Sequence, residues 1–363
     1  PPNSFRRLCR QLRNTFDLSQ AEVTLEGVPA YFLKRRPLLI DILMDELPAR
    51  HFRSSMGVQT FDQQTLEKMG RLGFGTAVTF QAIVKLAHRR GMTISADLLF
   101  NLPGQTLPQM QTDLRQAIDI GWDHLGLYHL VMFPGLGTQW SRDADLVASL
   151  PDNSKAAENW IQLRGYLLAN GFDQTTLTNF EQGEWSGREE RFQYEEKSFQ
   201  PQRFEMLGFG PSAITFTANA RFREGLKTLN PDRADEYVER VQGKQDITNR
   251  YFPYHDRDLR IFYLTRRLAA LEIDRLEYQA LFGSDPCWDF PDEMESLFRE
   301  GLVEITPATI RPSARGMFYA DSIAALLAEQ RLRVLRKSTS GIESESRQLS
   351  SYDTDNSNDH GFM

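Results

Sequence analysis

The stretch TISADLLFNLPGQTLPQM (93–110) contains a complete strand, turn and helix start, and it decides the fold class of the chain. Its first part, TISADLLF (93–100), is a continuous apolar run typical of a buried strand. Leu102-Pro103-Gly104 is a turn signal, and Thr106 with Gln109 three residues later forms a capping box. The stretch therefore predicts one βα unit, with a helix beginning at Thr106.

The same order of elements repeats on both sides of this unit. Ser4 is a plausible N-cap for the first predicted helix, and Pro37 is predicted to open the second one. A break is expected at Pro134-Gly135. The full pattern predicts strands at 21–26, 52–59, 124–133 and 173–180, and helices at 3–16, 37–47, 61–70, 75–91 and 156–171.

Apolar strands that alternate with amphipathic helices indicate a parallel sheet whose strands are buried on both faces. The units have similar lengths: Glu26 to Gln59 is 33 residues, Gln59 to Asp97 is 38 and Asp97 to Val131 is 34. This period suits an α/β barrel or part-barrel of βα units. A doubly wound open sheet is the alternative architecture.

The pattern changes after residue 180. A charged, aromatic stretch (181–205) is predicted to be a long loop that leads into a strand and Gly/Pro turn at 206–216. The chain from 251 predicts helices, a short strand pair and a last helix, which together suggest a small winged-helix-like domain. We divide the chain into a barrel part (1–216), a connecting segment (217–250), a C-terminal helical domain (251–336) and a disordered, Ser/Asp/Asn-rich tail (337–363).

Composition excludes several classes of protein. The 363 residues carry 42 Lys and Arg against 49 Asp and Glu, so the net charge of −7 provides no positive field for nucleic acid. No apolar run approaches the roughly 20 residues of a membrane span. The two cysteines, Cys9 and Cys287, are too few for a disulfide scaffold or for a metal site made by this chain alone. We expect a soluble, cytoplasmic protein in which Cys9 is a core residue.

Polar residues close three of the apolar strands. Glu26, Gln59 and Asp97 lie at matching positions in successive units, and the carboxyl ends of parallel strands meet at one edge of a sheet. Arg71 is close enough in sequence to reach the same edge. Each residue alone is also typical of a solvated turn, but the shared register favours a site. Acceptor oxygens and one amide suit an ammonium group and ribose hydroxyls.

Other kinds of chemistry have no support in the sequence. None of the six histidines pairs with another at metal-ligand spacing, and no nucleophile motif, phosphate-binding loop or dinucleotide fingerprint occurs.

Four strings of the sequence resemble one known family. SMGVQTFD (55–62), Gly70-Arg71, ADLLFNLPGQT (96–106) and GFGPSAI (208–214) are similar, in order and distance, to the radical S-adenosylmethionine (SAM) proteins related to oxygen-independent coproporphyrinogen III oxidase. The resemblance implies a partial TIM-type (β/α)6 barrel, a [4Fe–4S] cluster, and SAM that is cleaved to a 5′-deoxyadenosyl radical.

The resemblance also assigns roles to individual positions. Glu26 is similar to the glutamate that holds the SAM amino group, and three further positions match side-chain contacts to SAM, whereas two match backbone or apolar contacts. The first three are Gln59, Arg71 and Asp97, and the last two are Val131 and Ile214. Phe192-Gln193 resembles a pair that meets a second SAM in the oxidases.

The chain departs from the family pattern in two places. The CxxxCxxC loop that holds the cluster and the first strand of the barrel are absent from the sequence, which opens with Pro1-Pro2, so we expect the cluster cysteines in residues preceding Pro1. The HNxxYW string of the family's haem chaperones corresponds here to RFQYEE (191–196), without a histidine.

The leading hypothesis from the sequence is therefore a cytoplasmic radical SAM oxidoreductase that decarboxylates a tetrapyrrole, in the manner of coproporphyrinogen oxidase. It implies a tetrapyrrole substrate, an electron donor such as flavodoxin or ferredoxin, and no nucleic-acid partner. A radical SAM methyltransferase or haem-degrading enzyme is one alternative. A haem-binding chaperone or inactive fragment is the other.

Overall fold

The structure is a computed structural model that describes residues 2–34, 36–132 and 140–336. The chain divides into two compact units, with the change at Phe199/Gln200, and Ala269–Leu271 belongs to the first unit. This division falls before the boundary predicted at 216, and the predicted connecting segment 217–250 is part of the second unit. The predicted tail 337–363 and the break at Pro134-Gly135 lie outside the described residues.

The first unit alternates strands and helices along most of its length. Its strands are β1 Glu22–Glu26, β2 His51–Gln59, β3 Thr93–Phe100, β4 His124–His129, β5 Phe172–Gln174 and β6 Asn179–Gln182. Its helices are α1 Pro2–Thr15, α2 Pro29–Leu33, α3 Leu39–Glu46, α4 Gln63–Lys68, α5 Ala77–His88, α6 Leu107–Ile120, α7 Ala144–Ala148, α8 Asn153–Ala169, α9 Gly183–Ser186 and α10 Tyr194–Ser198.

Local signals set most of these boundaries. The capping box at the start of α6 is present, with the Thr106 backbone N–H donating to the Gln109 side chain at 2.8 Å. Two predicted starts need correction. The helix α1 begins at Pro2, where a proline is well tolerated, so Ser4 lies in its first turn. Leu38 is extended, so α3 begins at Leu39 rather than at Pro37.

The sheet of the first unit has the strand order β1-β2-β3-β4-β6-β5. The first four strands are parallel, as predicted. The predicted fifth parallel strand, 173–180, is instead a hairpin of β5 and β6 that joins β4 in antiparallel orientation. A hairpin can join neighbouring strands without a crossover helix, so this edge of the sheet lacks the βα repeat. The fold is mixed α/β.

One face of this sheet is apolar and carries the core. Met56, Ile94, Leu125 and Phe180 are fully buried on it, and both α5 and α6 contact β3. The opposite face is polar, although several of its side chains, including Arg53, Ser95 and His124, are buried. The prediction that the strands are buried on both faces therefore holds for these positions, whereas the continuous apolar run of β3 is interrupted by Ser95 and Asp97. The buried Cys9 packs with α3 residues in a smaller cluster, as predicted.

The second unit contains two three-stranded antiparallel sheets, β7-β8-β9 and β10-β12-β11, and the helices around them. Its strands are β7 Ile214–Ala218, β8 Gly225–Leu229, β9 Arg250–Tyr254, β10 Ile273–Asp274, β11 Val303–Ile305 and β12 Thr309–Pro312. Its helices are α11 Ala234–Gln242, α12 Asp256–Ala269, α13 Arg275–Phe282, α14 Pro286–Asp289, α15 Pro291–Arg299, α16 Ala314–Phe318 and α17 320–336.

An aromatic-rich core holds the second unit together, with Tyr263, Tyr278 and Phe282 at its centre. In the described ranges of the chain, no helix is long and apolar enough to cross a membrane.

Candidate functional site

The candidate site lies on the polar face of the first sheet. Side chains at register partners of neighbouring parallel strands point to the same face. Glu26 of β1 pairs in register with Ser55 of β2, and Ser55 pairs with Ser95 of β3. Asp97, two residues after Ser95, therefore lies on this same face. The alternation that places hydrophobic residues in the core thus places a row of polar residues on the other side.

A cavity of about 380 Å³ opens over this row. Glu26 and Asp97, the two acidic residues predicted from the strand ends, both line it. Only Glu26 ends its strand; the prediction for Asp97 is wrong in this respect, because β3 continues to Phe100 and Asp97 lies inside it. The cavity is strongly acidic, because four carboxylates line it against a single guanidinium, that of Arg53. The four acidic residues are Glu22, Glu26, Asp97 and Glu195.

Gln59 and Arg71 lie at the same edge of the sheet. A Cβ built on Gly57 would be 2.5 Å from Nε2 of Gln59 and 3.8 Å from Nη1 of Arg71. Gly57 is the register neighbour of Asp97. Both side chains therefore lie over Gly57, next to the strand position of Asp97. A positive φ of 70° at Gln59 accompanies the local register shift that ends β2.

Gln59 and Arg71 lie beside the cavity without lining it, and the two remaining predicted residues do not line it either. Val131 is exposed two residues after the end of β4. Ile214 is the first residue of β7 and belongs to the second unit. There Gly208 lies so close to the backbone of Ile214 that a Cβ on residue 208 would be 2.4 Å from the carbonyl oxygen of Ile214. This approach explains the need for glycine in the GFGPSAI string.

Three residues at the floor of the cavity were not predicted. Arg53 is completely buried and its guanidinium contacts the Nδ1 atom of His124. Its Nη1 atom is 3.9 Å from a carboxylate oxygen of the equally buried Glu181. The signal in the sequence is a single arginine in β2, a strand that contains no other Lys, Arg, Asp or Glu.

The segment after Arg191 covers this floor. The ring of Phe192 lies 4.1 Å from the Arg53 guanidinium. The backbone N–H of Phe192 donates to Glu181 at 2.9 Å, and that of Gln193 donates to Glu22 at 3.2 Å. The buried carboxylate of Glu181 and the partly buried one of Glu22 thus hold the segment in place, and Phe192 joins the lining of the cavity.

Burial and charge shift several pKa values here. Burial, with the nearby carboxylates of Glu26 and Glu195, raises the pKa of Asp97 to about 7. Burial also raises the pKa of Glu22 and of Glu181. Burial, and then the charge of Arg53, lowers the pKa of His124 well below its usual value, so its imidazole is neutral. A bound cation would relieve the repulsion among these carboxylates.

No protein-family model matches the chain. Its mixed α/β fold resembles that of coproporphyrinogen III oxidase HemN from Escherichia coli, a radical SAM enzyme: that structure matches 90% of this chain and 74% of its own length with a TM-score of 0.70, at 19% sequence identity.

Sequence relatives make the relationship more specific. The heme chaperone HemW of Bacillus subtilis is 23% identical over 287 residues, which span 76% of this chain and 70% of the relative. The oxygen-independent coproporphyrinogen III oxidase of Cereibacter sphaeroides is 27% identical over 268 residues, 70% of this chain and 56% of the relative. HemW of Escherichia coli is 34% identical over 157 residues, 43% and 38% of the two chains. These matches confirm the resemblance carried by SMGVQTFD and its companion strings: the chain is a homologue of these radical SAM proteins.

The homologues imply SAM and a [4Fe–4S] cluster. The acidic cavity fits SAM, which carries a positive sulfonium and a positive ammonium group. The residues present do not fit the cluster. Cys9 is buried in α1 and Cys287 belongs to the second unit, and burial raises the pKa of both thiols, which disfavours the thiolate that iron needs. In the part of the chain that the structure describes, no group of three or more His, Cys, Asp or Glu side chains suits a metal ion.

Proposed function

We propose that this protein is a SAM-dependent oxidoreductase of tetrapyrrole metabolism, similar in reaction to coproporphyrinogen III oxidase, and that its first unit binds SAM. The observation that carries the proposal is the cavity on the polar face of the sheet, where Glu26 and Asp97 face the same space. In radical SAM chemistry, SAM supplies the 5′-deoxyadenosyl radical that removes hydrogen from a substrate. The electron donor of such a reaction is a flavodoxin or ferredoxin.

The chain's own residues then have defined tasks. Glu26 accepts hydrogen bonds from the SAM ammonium group at the exposed rim. Asp97 accepts from the ribose hydroxyls and adds negative charge near the sulfonium. Gln59 and Arg71 hold the carboxylate end of the same molecule. Phe192, fixed by Glu181 and Arg53, limits the depth of the cavity and the access of water. Glu26, Gln59, Arg71 and Asp97 thus form the proposed SAM site.

Equilibrium dialysis of labelled SAM against the purified chain tests this site. We expect Glu26→Gln and Asp97→Asn each to weaken binding by about 1–3 kcal/mol, roughly 5- to 150-fold, because each removes a charge-assisted hydrogen bond. Glu158→Gln, an exposed acidic residue of α8 in the same unit, is the matched control and should bind like wild type. Wild-type affinity in both site variants would contradict the proposed site.

The reaction needs its own test. With a cluster-binding CxxxCxxC segment fused ahead of Pro1, and after anaerobic incubation with iron, sulfide, SAM, reductant and coproporphyrinogen III, mass spectrometry should detect loss of carbon dioxide from the propionate arms. Unchanged coproporphyrinogen, in a protein that binds SAM, would count against the oxidase.

A haem chaperone is the second candidate function, and the HemW relatives favour it. It predicts that the chain binds haem and passes it to an acceptor protein without a chemical change. Recovery of intact haem from the acceptor, in place of decarboxylated product, would support the chaperone.

A further inference from the structure

A buried carboxylate outside the proposed SAM site, that of Asp113 in α6, joins the two loops that follow β2 and β3. Its Oδ2 atom accepts a hydrogen bond from the Thr60 hydroxyl at 2.8 Å, and its Oδ1 atom accepts one from the Phe61 backbone N–H at 2.9 Å. Gln105, in the turn before α6, donates to Oδ2 at 3.1 Å. One carboxylate thus holds residues from two successive βα units.

The loop that Asp113 holds after β2 begins at Gln59. Thr60 and Phe61 are the two residues directly after Gln59, whose positive φ of 70° accompanies the register shift at the end of β2. A non-glycine residue in this left-handed region is strained and keeps its conformation only when its surroundings fix it. The two hydrogen bonds to Asp113 fix the chain immediately beyond that point.

The Thr60 hydroxyl extends this network to α4. Thr60 is completely buried, and the oxygen that donates to Asp113 also accepts from the Asp62 backbone N–H at 3.1 Å. Asp62 is the N-cap of α4. Arg71 follows this short helix, and its backbone N–H donates to the Leu66 carbonyl at 2.7 Å. The start of α4 is therefore set by Thr60, and the helix carries that placement to Arg71.

Gln105 connects the same carboxylate to the end of β3. While its Nε2 atom donates to Asp113, its Oε1 atom accepts from the Leu102 backbone N–H at 3.1 Å. Leu102 comes two residues after the end of β3, the strand that contains Asp97. Asp113 therefore fixes the loop after β2 against the unit that supplies Asp97.

The charge state of Asp113 suits this task. Burial raises its pKa to about 6, although the hydrogen bonds from Phe61 and Thr60 lower it. At mildly alkaline pH the carboxylate is therefore ionised, and its two oxygens can accept from all three donors. The amide of an asparagine has only one acceptor oxygen, so it cannot replace both sides of the contact.

We propose that Asp113 is a positioning residue of the SAM site, which holds Gln59 and Arg71 where the carboxylate end of SAM lies. It acts through the loop of residues 60–62 and touches no ligand itself. The inference rests on the proposed function. The strand residues that receive the ammonium group and the ribose do not depend on this loop. Loss of the Asp113 contacts should therefore affect only a ligand that has the carboxylate.

Calorimetric titration of the full chain at mildly alkaline pH, with SAM and with decarboxylated SAM, tests this role. Thr60→Val removes the hydroxyl with little change of volume. We expect it to weaken SAM binding roughly fivefold or more and to leave the binding of decarboxylated SAM unchanged. Asp113→Asn should act in the same direction. Thr60→Ser keeps the hydroxyl and should retain wild-type affinity for both ligands.

Thr93→Val is the matched control. Thr93 is also a buried threonine, its hydroxyl is hydrogen-bonded to His51 at 2.8 Å, and it lies at the opposite end of the sheet as the first residue of β3. It should lower the free energy of unfolding, as Thr60→Val does, without changing SAM affinity. Equal SAM affinity in the two folded valine variants would overturn the inference. Equal weakening of SAM and decarboxylated SAM by Thr60→Val would overturn it as well, because that result indicates a general loss of structure.

Hydrogen exchange gives a readout that needs no ligand. Peptides that cover residues 59–71 should exchange faster in Thr60→Val than in wild type and in Thr93→Val. Unchanged exchange there would overturn the inference whether or not SAM binds. A wild-type chain that binds neither ligand would overturn the proposed SAM site itself, so the two failures are distinguishable.

Discussion

The carboxylate of Asp97 lies directly over Gly126, its register neighbour in β4: Oδ1 of Asp97 is 2.6 Å from the point that a Cβ on Gly126 would occupy. The ring of Tyr128 comes within 2.7 Å of the same point. Any side chain at position 126 would therefore displace the carboxylate and the ring. Glycine at this position keeps the polar face open at the place where Asp97 turns toward the cavity.

Gly126→Ala should accordingly weaken SAM binding roughly tenfold, about 1.4 kcal/mol, by moving Asp97. Gly165→Ala is the control, since a Cβ there meets nothing within 4 Å and the position lies within α8. That change should raise the free energy of unfolding by about 0.5–1 kcal/mol and leave SAM affinity unchanged. Calorimetric binding and urea unfolding of both variants provide the measurements. Equal SAM affinity in the two variants would show that Asp97 does not contact the ligand.

The affinity for SAM should depend on pH through Asp97. Its pKa of about 7 in the free protein means that the carboxyl is half protonated there, and a cation binds the charged form. Affinity should therefore fall as the pH drops below about 7, by up to roughly tenfold per pH unit. Asp97→Asn should bind weakly and flatten this part of the profile. A wild-type affinity that is constant across pH 7 would exclude Asp97 as the titrating group.

The same shift has a consequence for stability. The folded-state pKa of Asp97 is raised above its ordinary value, so the folded state holds its proton more tightly than the unfolded chain does. The free energy of unfolding should fall as the pH rises from the ordinary carboxyl range toward about 7. Asp97→Asn should remove this part of the pH dependence.

Hydrophobic periodicity predicts the βα part of the fold because each of its strands is followed by a helix in sequence. The hairpin of β5 and β6 was predicted as one parallel strand, since a short run such as DQTTLTNF (173–180) does not show that the chain reverses at its centre. Pairing with β4 depends on contacts between distant residues. The local sequence therefore does not predict that the hairpin pairs with β4 in antiparallel orientation.

The sequence predicted the acidic residues that interrupt or end an apolar strand, and it missed the residues deeper on the polar face. Glu26 ends β1 and Asp97 lies within β3, and the structure brings them to one cavity. Arg53 lies in β2 and Glu181 in β6, each the second strand from an edge of the sheet, and their contact joins residues more than a hundred positions apart. Only the alternation within β2 places Arg53 on the inner face. Nothing in the amino-acid sequence indicates which acidic residue lies next to Arg53.

Arg53 should contribute to stability through its acidic neighbours. Its side chain and that of Glu181 are 1% and 0% exposed, so removal of the cation leaves a buried carboxylate without compensation. Arg53→Met should lower the free energy of unfolding by about 3–5 kcal/mol. The double variant Arg53→Met with Glu181→Gln should regain part of the loss, because the uncompensated charge is then absent. Urea unfolding of wild type, Arg53→Met, Glu181→Gln and the double variant measures the coupling free energy between residues 53 and 181. Strictly additive effects of the two substitutions would show that the two charges do not interact.

Acid should weaken the ion pairs that Arg6 and Arg10 of α1 form with Glu46 of α3. The Arg10 and Arg6 side chains hydrogen-bond the Glu46 carboxylate and hold its pKa down at about 2. A lowered carboxyl pKa stabilises the fold above the ordinary carboxyl range, and this contribution is lost as the pH falls through that range toward about 2. Glu46→Gln should therefore be less stable than wild type at neutral pH, and the difference between them should shrink on acidification.

Glu158→Gln, which breaks only an exposed pair with Lys155, should change stability little at any pH. Urea unfolding at neutral and acidic pH provides the comparison. If the difference in the free energy of unfolding between Glu46→Gln and wild type stays the same at low pH, the ion pairs with α1 are not the source of the stability that Glu46 provides.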